Sequence, residues 1–354
     1  MKKLFVKALL TAVLCVSANI ALCDNVVTVN VVGVPYMHYV YKMLGDDFNS
    51  IENRFLLRYV DENANNFAMK VSAGSADFSV SDIPMPHNEL IARKLIQFPV
   101  MVTAIVPVVN LPGIDSDKLV LDGPVLAGIM MGDITTWNHA SISALNPNLS
   151  LPSLRIKTLA RSYSSGATLA ISTYLAKKSS RFAKNIGVGD SLKWPADVQL
   201  MHSGEAIETA LSKTPGAISY VEMDVGNIKQ MKFVRLKHHT GSIVKADLGF
   251  LRSGVVSARA TEGENGANSL NGVDFANNWP ILLPIYVTLP KNALNDERMT
   301  LALRFIYWIF NKGDETIEQS GLVPLPVLLQ AQAVKVIRVV RSANGGPLIF
   351  NFDL

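Results

Sequence analysis

The segment RSYSSGATLAISTYLA (161–176) sets one cation and three serines just before a glycine and a helix-like run. A helix start presents free N–H groups and the positive end of the backbone dipole, which attract anions. Arg161 adds a planar fork of donors that matches an oxyanion. The plainer use of Ser165 is to cap the helix it precedes. A second group of interest is Asp82, the carboxylate that ends the strand-like ADFSVSD (76–82). Ser165 has no identified general base to activate it as a nucleophile. The chain also lacks G-x-S-x-G, H-E-x-x-H and Walker A patterns. These residues therefore point to binding rather than catalysis. His238-His239 is the one metal-like pair, but neighbouring side chains diverge and no third ligand is in view, so a solvated turn is expected. No metal and no cofactor are expected.

Around these residues the pattern alternates strands and helices. Val26–Val34 reads as a strand meeting a loop at Gly33-Val34-Pro35, and Tyr39–Phe48 as a helix. Phe55–Val60 is a short strand, Phe67–Ala73 a helix ending near Gly74, and Ala76–Asp82 a strand. Two apolar runs, Pro99–Val109 and Ile281–Leu289, lie far apart and are candidates for strands crossing between two lobes. Arg304–Phe310 and Val327–Val340 read as helices, and Gly263–Asn278, rich in Gly and Asn, as a surface loop. The alternation predicts an α/β architecture. Met130, Met131 and Met223 are expected in the core.

The first 23 residues, MKKLFVKALLTAVLCVSANIALC, have three lysines, an apolar run and a small-residue end. This is the pattern of a cleaved secretory leader, with cleavage after Ala18 or Cys23, and it predicts a periplasmic or secreted protein. Both cysteines, Cys15 and Cys23, fall in the leader, so no disulfide is expected in the mature chain. The whole chain carries 33 basic and 29 acidic side chains. Removing the leader's three lysines leaves 30 against 29, a balance of +1 that gives no nucleic-acid footprint. About 330 residues are enough for two packed lobes without disulfides.

The motifs ADFSVSDIPM (76–85), GDITTWN (132–138), ALNP (144–147), ARSYSSGATLA (160–170), KWP (193–195), PGAISYVE (215–222) and GLVPLP (321–326) occur in this order. In this combination the chain resembles the periplasmic phosphate-binding proteins of bacterial phosphate ABC transporters, over essentially all of its mature length. The resemblance implies a two-lobed, type II periplasmic-binding-protein fold with a ligand in a central cleft. It implies a receptor, not an enzyme, and an ABC-transporter permease as the membrane partner of a monomer. The expected division is residues 24–104 plus 280–354 in one lobe and 105–279 in the other.

The resemblance also carries a site. The family's Arg falls on Arg161, its Ser-Gly on Ser165 and Gly166, and its Asp on Asp82. An Asp facing an anion accepts the anion's proton and so favours phosphate over sulfate. Elsewhere the pattern departs. A family Thr-Phe pair is Pro35-Tyr36 here, and proline offers neither hydroxyl nor N–H. The family Ser of the second loop aligns with Ala64, beside Asn63, Asn65 and Asn66. The family Thr after Ser-Gly is Ala167, and an Asp between the Arg and the Ser is Tyr163. Three lost hydroxyl donors would cost about 4–9 kcal/mol of binding if nothing replaced them. Replacement is expected from Asn63, Asn65, Tyr163 or Ser164; the aromatics Tyr36, His38 and Tyr39 are candidates to line a larger pocket. The alternative is a secreted interaction protein that kept the fold and lost or changed its ligand.

Overall fold

A computed structural model of the chain describes residues 26–62, 66–223, 231–260 and 277–350. In chain order its strands are β1 (Val27–Gly33), β2 (Phe55–Asp61), β3 (Phe78–Ser81), β4 (Leu95–Asn110), β5 (Val120–Asp122), β6 (Lys157–Arg161) and β7 (Gln199–Met201). They continue with β8 (Ala217–Glu222), β9 (Lys232–Phe233), β10 (Arg235–Lys237), β11 (Ile243–Val244), β12 (Leu282–Pro290) and β13 (Val323–Pro324). The main sheet runs β2-β1-β3-β12-β4-β8-β6-β7, with β9 and β13 pairing β4, and a small sheet runs β11-β10-β5. Helices fill most of the connections, so the expected α/β two-lobed architecture is observed.

β4 ties the two halves together. Its 16 residues, LIQFPVMVTAIVPVVN, are apolar almost throughout because both faces are covered. Leu95 to Ala104 pair with β12, and Ile105 to Asn110 pair with β8. The partner changes between Ala104 and Ile105. Pro99 sits in this central strand, where a missing N–H would normally break the ladder. The register shifts there, Ile285 facing Met101 and Tyr286 facing Pro99, so Val100 is the extra residue of a bulge. The other apolar run does not cross as anticipated: β12 pairs β3 and the first part of β4 along its length.

The helix anticipated at 304–310 is longer, Asp296–Lys312. Its first turn is polar and carries no apolar stripe, but Asn295 caps it by accepting the Arg298 N–H at 2.8 Å. Asp296 and Glu297 lie at its N-terminus and Lys312 at its C-terminus, matching the dipole. Its apolar face brings Phe305 against Tyr41, Phe48, Phe55 and Phe78, with ring centroids 5.0 to 6.4 Å apart. Truncating Phe305 to alanine would cost about 3–5 kcal/mol through the cavity left behind. The C-terminal helix is Val327–Ile337, shorter than anticipated, and Met130 and Met223 are buried in the core as expected. The leader and most of the Gly263–Asn278 segment lie outside the described residues.

Candidate ligand site

Arg161 is the last residue of β6, and Glu222 is the last of β8, the neighbouring strand. Arg161 is buried, its side chain only 1% exposed. Its Nη1 donates to the Tyr220 carbonyl at 2.9 Å, its Nη2 to Glu222 Oε2 at 2.6 Å, and its Nε to the Tyr163 hydroxyl at 3.2 Å. The guanidinium also lies 5.0 Å from the Tyr220 ring centroid, a cation–π distance. Burial opposes its charge, but Glu222, Tyr220 and Tyr163 outweigh burial and hold the proton above the usual arginine range.

Beyond Tyr163 and Ser164 the helix Gly166–Lys178 begins. Ser165 does cap it: its Oγ accepts from Ala167 N at 3.1 Å and Thr168 N at 3.4 Å. Gly166 opens the helix beside Asp82, and its N–H favours the charged form of the Asp82 carboxylate. The fit is close. A Cβ on Gly166 would lie 2.2 Å from the Asp82 carbonyl oxygen and 2.6 Å from its carboxyl carbon, so only glycine is accommodated.

Asp82 follows β3 and is 4% exposed. Its Oδ2 accepts the Tyr36 hydroxyl at 3.3 Å. Burial pushes its carboxyl up to about 6, Glu222 pushes the same way, and Arg161 and the Gly166 N–H oppose them. Tyr36 belongs to a short 3-10 turn, Pro35–Met37, and its hydroxyl proton is held well above its usual range, first by burial and then by Asp82. A cavity of about 410 Å³ opens beside this cluster, lined by Tyr36, Arg161, Tyr163, Ser203, Glu205 and Glu222 among others. That volume falls in the range of small-molecule sites.

The structure thus brings together Tyr36, Asp82, Arg161, Ser165, Gly166 and Ala167. Asn63, Ala64 and Asn65 lie outside the described residues. Ser164 is turned away from Arg161, its Oγ donating to Asp190 Oδ2 at 2.6 Å. His38 meets Asp61 at 2.8 Å, and Tyr39 is 62% exposed, so among the clustered aromatics it is Tyr36 that reaches the cavity. His238 is not in a solvated turn. It is buried, with Nε2 2.8 Å from the Asn278 carbonyl, and burial lowers its proton affinity. Among the described residues no group of three metal-ligating side chains occurs, and no helix is long and apolar enough to cross a membrane.

Glu222 is the main residue that sequence reasoning missed. Its signal was present: TPGAISYVE ends in a carboxylate just as ADFSVSD does. Only the pairing of β6 with β8 shows that this carboxylate and Arg161 share a strand end.

Residues 36–312 match the model of the PBP superfamily domain. The chain is 32% identical over 257 residues to the phosphate-binding protein PstS of Haemophilus influenzae, covering 73% of this chain and 77% of that one. It is 29% identical over 300 residues to the phosphate-binding protein PstS of Xylella fastidiosa, covering 85% and 82%. Among solved structures, a high-affinity periplasmic phosphate-binding protein, PfluDING, bound with phosphate, superposes with a TM-score of 0.65 at 19% identity, covering 87% of this chain and 93% of that one. A phosphate-binding protein from Stenotrophomonas maltophilia gives 0.62 at 17%, covering 87% and 93%. With the type II fold in common and the sequence likeness spanning both halves of the chain, this protein belongs to the PstS family of phosphate-binding proteins.

Proposed function

We propose that the protein is an extracytoplasmic receptor, not an enzyme, that captures inorganic phosphate or a related oxyanion between its lobes and delivers it to an ABC-transporter permease. The observation that carries this reading is the convergence of Arg161, Asp82 and the N-terminus of the helix Gly166–Lys178 in a family whose relatives are named for phosphate binding. Arg161 supplies charge, the N–H groups at the helix start cradle oxygens, and Asp82 accepts a proton from the ligand. Closure of the lobes on the anion would present one shape to the permease. We place the lobe boundary at Ala104/Ile105, with 24–104 and 280–354 in one lobe and 105–279 in the other; the change of partner along β4 supports it. The leader-like first 23 residues support export, and we take the receptor to act as a monomer.

The test is calorimetric titration with phosphate, after unfolding and refolding to strip carried ligand, with sulfate as control. Micromolar or tighter phosphate binding without a sulfate response upholds the reading. A second reading, an exported interaction protein with a relaxed pocket, is favoured by one feature. Arg161 Nη2 already meets the protein's own Glu222 and Asp82 packs on the helix start at Gly166, while Pro35 and Ala167 bring no hydroxyl. Silence toward both anions would select it.

A further inference from the structure

We propose that Glu222 determines affinity and specificity at this site: it is a built-in carboxylate that occupies the Arg161 fork and competes with the incoming oxyanion for it. The proposal rests on the phosphate-capture reading above.

The geometry starts from a charge imbalance. One guanidinium, Arg161, faces two carboxylates, Glu222 at 2.6 Å and Asp82, which repel one another across the site. The position where the family resemblance places another acid is Tyr163, whose hydroxyl accepts from Arg161 Nε and brings no charge. Glu222 is therefore the acid paired directly with the fork. Its side chain is 14% exposed and lines the 410 Å³ cavity together with Arg161, so an anion arriving through the cavity meets the pair from its open side. Glu222 also stands opposite Ile105, the residue at which β4 changes partner. Among the described residues the other titratable groups around the cluster give no second cation. Tyr36 comes from the 3-10 turn and Tyr59 and Asp61 from β2. Glu205 and Glu208 line the same cavity from the helix Gly204–Lys213.

An oxyanion that reaches Nη2 must either displace the Glu222 carboxylate or take the remaining N–H beside it. In both cases two or three negative groups crowd one guanidinium unless a proton enters. The site thus selects anions that bring a proton or allow a neighbouring carboxylate to take one up. A strong, unprotonated anion such as sulfate supplies neither. Neutralising Glu222 removes both the competitor and the repulsion, while an amide oxygen still gives Arg161 a weaker acceptor.

The experiment compares the ligand-stripped protein with its Glu222→Gln variant, titrated with inorganic phosphate at pH 7.5 in two buffers of different ionisation enthalpy. The expected result is roughly ten- to a hundredfold tighter phosphate binding by Glu222→Gln, with less proton uptake on binding than the parent shows. Sulfate binding should also appear or strengthen. If the glutamine variant is poorly folded by thermal unfolding, Glu222→Asp, which draws the carboxylate back by one methylene, should shift phosphate affinity in the same direction. Phosphate binding by both proteins with no gain in the variant, or with equal proton uptake, overturns the role of Glu222 and leaves the receptor reading standing. Phosphate silence in the parent with binding in Glu222→Gln supports the role directly. Silence in both overturns the receptor reading and this proposal with it.

Discussion

Asp82 packs so closely on Gly166 that a Cβ there would lie 2.6 Å from its carboxyl carbon, so an acid from the end of β3 sits at the positive end of the helix that follows β6. The contact joins β3 to the helix Gly166–Lys178 at the proposed anion site. Helix N-termini stabilise negative charge, and here the negative charge is the protein's own. One step away, on neighbouring strands, the protein's own Glu222 accepts from Arg161 Nη2.

Gly166→Ala should separate Asp82 from the helix start. The added methyl would lie 2.2 Å from the Asp82 carbonyl oxygen, which is backbone and has little freedom to yield. Overpacking of this kind costs about 1–3 kcal/mol. The expected outcome is a loss of unfolding free energy of that size, read as a lower urea midpoint, and loss of phosphate binding in calorimetry. Unchanged stability would mean that Asp82 and the helix start already stand further apart in solution.

Arg161→Met should destabilise more strongly than an ordinary surface change, because it leaves the Glu222 carboxylate without its cation. Breaking a buried pair costs about 3–5 kcal/mol, and the low end applies because Glu222 keeps one side toward the cavity. The double variant Arg161→Met, Glu222→Leu should recover most of that loss, since an apolar pair removes both desolvated charges. Denaturant unfolding of the parent and these two variants measures the loss and its recovery. Neither variant should bind phosphate, so stability and binding separate in the double variant.

Much of this arrangement was legible in the chain. The RSYSSG segment carried the helix start and its cation, and ADFSVSD carried the carboxylate, because each lies within a few residues of continuous sequence. The long apolar β4 was legible for the same reason. The Arg161–Glu222 pair was not, because it spans 61 positions and depends on β6 lying beside β8. The polar first turn of Asp296–Lys312 escaped because its capping residue, not an apolar stripe, starts the helix. The burial of His238 depended on the distant Asn278 carbonyl.

Asp82 should give the folded protein a distinctive pH dependence. Its carboxyl is raised from 3.8 to about 6 in the folded state, chiefly by burial. The folded state then holds the proton more tightly than the unfolded one. The stabilising contribution is complete below about pH 4, is lost as pH rises toward 6, and is absent above that. A shift of about two units corresponds to roughly 3 kcal/mol. Asp82→Asn cannot ionise, so its stability relative to the parent should climb by about 2–3 kcal/mol between pH 4 and 7 and then level off. Urea unfolding at several pH values checks the sign; a parent that gains on the variant as pH rises would contradict the burial argument.

Tyr41 offers a control away from the site. It is fully buried against Tyr59, Phe78 and Phe305, and its hydroxyl has no hydrogen-bond partner among the described residues. Burial pushes its proton affinity well above the usual tyrosine range. An unsatisfied buried hydroxyl costs about 1–3 kcal/mol, so Tyr41→Phe should raise stability, by about 1 kcal/mol once the loss of contact around the removed oxygen is counted. Tyr220→Phe is the opposite case. Its hydroxyl lies 2.9 Å from Thr168 Oγ1, and removing it leaves that threonine without this bond. This variant should lose about 1 kcal/mol. Equal effects of the two substitutions in chemical unfolding would show that hydroxyl satisfaction does not govern these cores; a gain for Tyr41→Phe with a loss for Tyr220→Phe would show that it does.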